Sequence, residues 1–143
     1  MAFLATLAAV VVDAALGLWL GSMVFFSFVG APRVFAVLDE ERAGRVVNDI
    51  FPRYYVFGVA LGVVALVAGA LIGVSRGFGL PAAVLLGGAG LGVALTAYAR
   101  WVLVPAMDEA GDDAFERYHR RSVVLNGVTM LGVAAALVAA HFA

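Results

Sequence analysis

The chain has 143 residues, of which 64% are hydrophobic and 13% are charged, and its mean hydropathy is +1.05. This composition lies far outside that of soluble globular domains and predicts an integral membrane protein whose first partner is the lipid bilayer. The absence of cysteine excludes a disulfide framework and thiolate metal sites, and the net charge of −1 is uninformative. Neither of the charged connections is a basic surface suited to nucleic acid.

Four stretches are long and apolar enough to cross a hydrocarbon core about 30 Å thick, which needs roughly 20 helical residues. They are continuously apolar instead of alternating, so the strands of a membrane barrel are excluded. The first stretch lacks a basic start and exceeds a secretory signal in length, so we expect it to be retained. The sequence predicts a single all-α domain over residues 1–143, a four-helix membrane bundle with spans of about 3–30, 54–74, 81–104 and 122–142.

Arginines concentrate beside the first and third connections, which lie on one side of the membrane in a four-span chain. The second connection carries only Arg76. The positive-inside rule therefore predicts a cytoplasmic or plasma membrane protein with both Arg-rich connections in the cytoplasm and both termini outside. We call this side of the bundle the Arg-rich end, and its arginines are Arg33, Arg42, Arg45, Arg53, Arg100, Arg117, Arg120 and Arg121.

The two Arg-rich connections resemble each other. Each has a proline, an Asp-Glu pair, a spacer and then Asp-x-Phe-x-Arg-Tyr-aromatic, so that residues 49–55 ("DIFPRYY") align with residues 113–119 ("DAFERYH"). Helix, loop and helix repeated in one orientation predict two hairpins related by a pseudo-twofold axis along the membrane normal. The alternative is that both loops use acidic, Arg and aromatic residues because these suit a membrane surface.

Glycine pairs four residues apart occur in the first three spans, and such pairs let helices approach closely in lipid. We expect them to pack the four helices together, with assembly of a homo-oligomer as the alternative. The pairs are Gly17 and Gly21, Gly58 and Gly62, Gly69 and Gly73, and Gly88 and Gly92.

A polar stripe opens the fourth span, where His119, Ser122, Asn126 and Thr129 fall within about 80° of one another on a helix. Polar groups in hydrocarbon are costly unless paired, so the stripe is expected to face the bundle interior or a cavity open to the cytoplasm. It serves either as interhelical hydrogen bonding alone or as one wall of a ligand pocket in which His119 titrates or coordinates a ligand. The other candidate lining residues are Tyr54, Tyr55, Arg100 and Trp101.

Two further sets of charged residues belong to or border apolar runs. Arg100 lies within two turns of the Arg-rich end of its span, so its side chain either reaches the interface or points inward and holds an anion. Asp13 and His141 lie at the opposite end, where they form an outer polar layer with Arg76 unless Asp13 merely reaches external water.

Small four-helix membrane proteins often hold haem between two histidines on facing helices, but here both histidines are on the fourth span, about 33 Å apart along its axis. The remaining ways to ligate one haem pair a histidine with Met23 or Met130, or use His119 from two protomers. The sequence also lacks a phosphate-binding loop, a nucleophile triad and a metal-binding helix motif. We therefore assign no cofactor, metal ligand or catalytic residue, and an enzyme is the less favoured interpretation.

Several uncommon residues recur in an order that resembles the transmembrane protein 205-like family, whose four-span members carry a domain of unknown function. The elements are Trp-x-Gly at Trp19 and Gly21, Ala-Pro-x-x-Phe at Ala31, Pro32 and Phe35, Ala-Gly at Ala43 and Gly44, Phe-x-x-Tyr at Phe51 and Tyr54, and Phe-x-x-x-His-x-x-Ser-x-x-x-Asn at Phe115, His119, Ser122 and Asn126. The resemblance implies a fold and no reaction, although members of that family are connected with drug resistance and trafficking. A looser resemblance links the chain to four-span copper-resistance membrane proteins.

Three function classes follow from the residues. The first is binding or transport of a small solute or lipid-like molecule in a pocket lined by Arg100, His119, Ser122 and Asn126. The second is a structural or interaction subunit packed through glycine seams, and the third is a haem or copper redox protein.

Overall fold

A computed structural model describes residues 2–109 and 112–143, and gives side chains for all of these except residues 112–116. The side chains of Asp113 and Phe115, which enter the repeat and the family resemblance, therefore lie outside the described residues. The backbone that is described contains no strand, which agrees with the all-α prediction. Its elements are α1 (Ala2–Phe25), the π-helical segment π1 (Phe26–Gly30), α2 (Ala31–Val37), α3 (Glu40–Arg76), α4 (Leu80–Tyr98), the π-helical segment π2 (Ala99–Leu103), α5 (Val104–Glu109) and α6 (Asp112–Ala140).

Within the described ranges, four continuous helical segments are long and apolar enough to cross a membrane, which agrees with the number of predicted spans. The segments are Ala2–Val37, Glu40–Arg76, Leu80–Glu109 and Arg117–Ala140.

The first Arg-rich connection is mostly helical, which corrects the expectation of a loop there. Only Leu38 and Asp39 interrupt the helix, and a carboxylate oxygen of Asp39 accepts a hydrogen bond of 2.8 Å from the backbone N–H of Arg42. This hydrogen bond satisfies a backbone N–H at the start of α3. The carboxylates of Glu40 and Glu41 in the first turn complement the positive end of the helix dipole. At 37 residues α3 is about 55 Å long, so it extends well beyond a hydrocarbon core.

The second connection is a tight turn of three residues between α3 and α4. Gly77 ends α3 with a φ of 102°, a left-handed conformation that favours glycine, and its N–H donates to the carbonyl oxygen of Gly73. Pro81 then stands in the first turn of α4, where its missing N–H costs no hydrogen bond. The turn fixes α3 and α4 as antiparallel neighbours.

The long helices form a bundle in which α1 contacts α3, α3 contacts α4, α4 contacts α6 and α6 contacts α1. At the centre of the bundle lies Trp19, which is only 1% exposed. A Cβ atom at Gly58, Gly62 or Gly92 would collide with the indole of Trp19. These glycines therefore make room for one large side chain on α1 instead of forming a seam of backbone against backbone.

The remaining glycines divide between the interior and the outer surface. Gly88 of α4 lies against the backbone of Gly132 in α6, while Gly69 and Gly73 face the side chains of Leu85 and Phe78. Gly17 and Gly21 are different, because they are exposed on α1 and an added Cβ would meet no atom within 4 Å. The prediction that glycine pairs pack the four helices together is therefore wrong for Gly17 and Gly21.

The two π-helical segments stand at matching distances from prolines. π1 begins six residues before Pro32 and π2 begins six residues before Pro105. Proline lacks an N–H and its ring crowds the carbonyl four residues earlier, so widening the preceding turn by one residue lets the helix continue. In both segments the residue just before the proline donates its N–H to the carbonyl five residues earlier, from Ala31 to Phe26 and from Val104 to Ala99.

Candidate functional site

Asn126 joins three helical elements at the level of π1. The hydroxyl of Tyr54 on α3 donates to Asn126 Oδ1 over 2.8 Å, and Asn126 Nδ2 donates to Ser27 Oγ on π1, also over 2.8 Å. All three side chains are partly buried. The amide therefore uses its acceptor and one donor to cross-link α6 with α3 and π1, as the lipid environment favours.

The other members of the polar stripe bond within α6 or lie at its surface. Ser122 and Thr129 are 5% and 1% exposed, and their hydroxyls donate to the carbonyl oxygens of His119 and Leu125 over 2.7 and 2.9 Å. The His119 side chain is exposed. The stripe thus divides into a cross-linking amide, two hydroxyls satisfied by their own helix and an exposed imidazole.

An aromatic cluster surrounds the Tyr54 end of this hydrogen-bonded chain. Ring centroids of Phe26 and Tyr54 are 4.8 Å apart, those of Tyr54 and Tyr55 are 5.3 Å apart, and those of Phe51 and Tyr55 are 5.7 Å apart. Tyr55 is 4% exposed. The cluster fixes the ring of Tyr54 and so orients the hydroxyl that reaches Asn126.

Arg100 has a buried atom without a partner. Its Nε is buried and makes no hydrogen bond to any part of the chain that the structure describes. The guanidinium carbon lies 5.8 Å from the ring centroid of Trp101, an exposed residue. Arg100 lies in π2, whose Ala99 packs in one cluster with Tyr55 and Leu125. The Nε of Arg100 is therefore shielded from solvent, in a segment that packs against α3 and α6 through Ala99.

The predicted outer polar layer is only partly assembled. His141 Nε2 lies 3.4 Å from Asp13 Oδ1, with both side chains well exposed. Arg76 is directed elsewhere, since its Nη1 donates to the carbonyl oxygen of Ala143 over 3.3 Å. An exposed ion pair of this kind contributes little to the free energy of unfolding.

A groove between α4 and α6 lies on a different face of α6 from the polar stripe. Its volume is about 420 Å³, and none of its lining residues belongs to the stripe. The lining residues are Leu95, Arg117, Arg120, Arg121, Val124, Leu125 and Val128.

The family profile described as Domain of unknown function (DUF4149) matches residues 14–116. The chain belongs to this family. The matched part of this DUF4149 protein includes Ser27, Tyr54 and Arg100 but ends before Asn126. An uncharacterized protein of Aquifex aeolicus (strain VF5) is 46% identical over 48 residues, which are 34% of this chain and 36% of that protein. No solved structure matches the chain.

Sequence reasoning on this DUF4149 protein named two of the three residues in the hydrogen-bonded chain and missed the third. Asn126 and Tyr54 are brought together, whereas Ser27 and Phe26 of π1 were not among the predicted lining residues. Ser27 was recognisable in principle, because it is the only hydroxyl in the run "FFSFVG" and a hydroxyl in lipid needs a partner.

Proposed function

We propose that this protein binds or transports a small anionic solute or a lipid-like anion at a membrane site beside π2, with Arg100 as the anchoring residue. The observation that carries the proposal is the buried Nε of Arg100, which has no hydrogen-bond acceptor among the described residues. A guanidinium has donors and no acceptor, so this Nε can be satisfied only by an acceptor.

Energetics favour an anion at this position. A buried donor left unsatisfied costs about 1–3 kcal/mol, and more when the group is charged. A carboxylate or phosphate oxygen bound to a guanidinium forms a charge-assisted hydrogen bond, which is about twice as strong as a neutral one. Trp101 and the aromatic cluster beside π2 supply the apolar surface that a lipid-like anion needs around its charged group.

The hydrogen-bonded chain of Ser27, Asn126 and Tyr54 acts as the frame of the site. Its donors and acceptors are largely engaged with one another, so these residues hold π1, α3 and α6 in place beside π2. His119 and Ser122 are further lining residues in this proposal. Their contribution is secondary, because Ser122 already bonds within α6 and the His119 side chain lies at the surface.

A pseudo-twofold repeat is part of the proposal and accounts for the placement of the site. The equal spacing of π1 and π2 from their prolines supports the repeat, and it makes Ser27 and Arg100 equivalent, each five residues before a proline. The repeat would thus present one polar residue from each hairpin at the same depth.

The proposed orientation, from the distribution of arginines, has the Arg-rich end in the cytoplasm and both termini outside. Kinship with the transmembrane protein 205-like family is proposed on the residues that resemble it.

The test compares Arg100→Gln with Arg33→Gln, which removes an exposed arginine from the same end. Protein in mild detergent is titrated with inorganic phosphate, acetate or oleate while its Tm is recorded, because a ligand that binds only folded protein raises Tm. We expect at least one of these anions to stabilise the wild type and Arg33→Gln but not Arg100→Gln. Equal stabilisation of all three proteins would contradict Arg100 as the anchor.

A second candidate function is that of an interaction subunit, and the outward placement of Gly17 and Gly21 favours it. This pair leaves a shallow strip on α1 where another helix could approach closely. If it is a contact between copies of the chain, Gly17→Ile with Gly21→Ile should dissociate the oligomer in size-exclusion chromatography with light scattering. Gly87→Ile, at an exposed glycine of α4 with no atom near its Cβ position, is the control and should leave the oligomeric state unchanged.

A further inference from the structure

We infer that the groove between α4 and α6 binds an anionic phospholipid, with its headgroup phosphate on Arg117, Arg120 and Arg121 and an acyl chain along the apolar wall. This site is separate from the one anchored by Arg100, which does not line the groove. The inference does not depend on the proposed function.

The shape of the groove suits a lipid. Its volume is about 420 Å³, and below the three arginines every lining residue is aliphatic. Val124 and Val128 continue the α6 face of Arg117 and Arg121 at helical spacing, so the apolar wall runs about 10 Å along α6 from Arg121 to Val128. A charged rim followed by an apolar wall matches a phosphate headgroup followed by its chain.

The charge of the groove is positive without compensation in its lining. No acidic side chain lines it among the residues that the structure describes. Arg121 in particular has no acidic residue three or four positions before or after it on α6, so it lacks a helical ion-pair partner. Arg121 can therefore direct its charge at a phosphate on a ligand.

Two tyrosines hold Arg121 in position. Its Nη1 donates to the hydroxyl of Tyr98 on α4 over 3.4 Å, and its guanidinium carbon lies 5.6 Å from the ring centroid of Tyr118. Tyrosine is the residue expected at the headgroup level of a membrane, and arginine pairs with phosphate through a planar fork of donors. The contact with Tyr98 also joins α6 to α4 next to the groove.

Arginines at this end would also follow from membrane topology alone, so the experiment must separate a site from general attraction. We compare Arg117→Gln/Arg120→Gln/Arg121→Gln with a control that removes the same charge from the first connection on the same side. The control is Arg33→Gln/Arg42→Gln/Arg45→Gln, whose three arginines are exposed.

The measurement is native mass spectrometry of detergent-solubilised full-length protein titrated with dioleoyl phosphatidylglycerol or dioleoyl phosphatidylcholine. Each arginine near a membrane surface contributes about 1 kcal/mol to binding of anionic lipid, so losing three should weaken phosphatidylglycerol binding by about a hundredfold. The control triple variant should bind as the wild type does. Folding of each variant is checked by its Tm with phosphatidylcholine alone.

A third variant, Val124→Phe/Val128→Phe, fills the apolar wall without changing charge. It should also weaken phosphatidylglycerol binding, and sn-glycerol 3-phosphate should not compete at the same concentration. Equal losses in the two triple variants, or no preference of the wild type for phosphatidylglycerol, would overturn the site. Full competition by glycerol 3-phosphate, or unchanged binding in the Val124→Phe/Val128→Phe variant, would overturn the assignment to a lipid.

Discussion

Adding a methyl group at Gly88 is expected to push α4 away from α6, whereas the same change at the preceding glycine should do no harm. A Cβ at Gly88 would overlap the carbonyl oxygen of Gly132 and would lie 3.1 Å from the Cβ of Ala136. Neither neighbour has a flexible side chain that could rotate away, so the helices themselves must move. Gly87 lies on the exposed side of α4, where an added Cβ meets no atom within 4 Å.

The magnitude follows from comparing Gly88→Ala with Gly87→Ala. Both variants gain the same helix propensity, about 1 kcal/mol in a helix interior, and this gain cancels in the comparison. What remains is the cost of overpacking, typically about 1–3 kcal/mol. We therefore expect the free energy of unfolding of Gly88→Ala to lie about 1–3 kcal/mol below that of Gly87→Ala.

The assay is reversible unfolding in mixed micelles, with the denaturing detergent titrated against a constant amount of mild detergent and helix content followed by circular dichroism. Gly87→Ala should unfold at the wild-type midpoint or above it. Equal midpoints for the two variants would refute the close approach of α4 and α6 at Gly88.

Three further predictions use the same unfolding assay. Relative to Gly87→Ala, Gly62→Ala should lower the free energy of unfolding by about 1–3 kcal/mol, because its Cβ would meet the indole of Trp19, and equal midpoints for these two variants would count against that contact. Asn126→Ala removes two interhelical hydrogen bonds and should cost about 1 kcal/mol, since each is worth about 0.6 kcal/mol on average in membranes. Asp13→Asn should change the free energy of unfolding by less than about 1 kcal/mol, because the Asp13–His141 pair is exposed, and a larger loss would show that the pair is structural.

The number and type of helices are predictable from the sequence because hydropathy alone identifies four segments that must satisfy their backbone hydrogen bonds in lipid. The residues at which those helices begin and end are not predictable from hydropathy. Residues 31–53 read as a loop because they are charged and contain Pro32 and Pro52. The structure keeps most of them helical through the Asp39 cap and the burial of Ala43 and Val47.

Helical periodicity predicts which residues share one face of a helix, but it does not fix which residues of other helices they contact. Helical periodicity places Asn126 in a stripe with His119 and Thr129, but it does not say which helix each of them faces. The partner Ser27 lies 99 residues away in sequence, and its position depends on how π1 packs against α6. A proline likewise signals an interruption of a helix without telling whether the helix ends, kinks or widens.

The same limit applies to the glycines. Spacing of four residues indicates that something approaches the helix closely, but the identity of that neighbour is a property of the packed bundle. For Gly62 it is the indole of Trp19, for Gly88 it is a backbone carbonyl, and for Gly17 there is no neighbouring atom within 4 Å.

Anion binding at Arg100 is the central claim, and native mass spectrometry of gently solubilised wild type, Arg100→Gln and Arg33→Gln tests it most directly. We expect an anionic species that co-purifies with the wild type and with Arg33→Gln and is lost from Arg100→Gln. A wild-type mass without any bound anion would contradict anion binding at Arg100, and so would retention of every anionic species by Arg100→Gln.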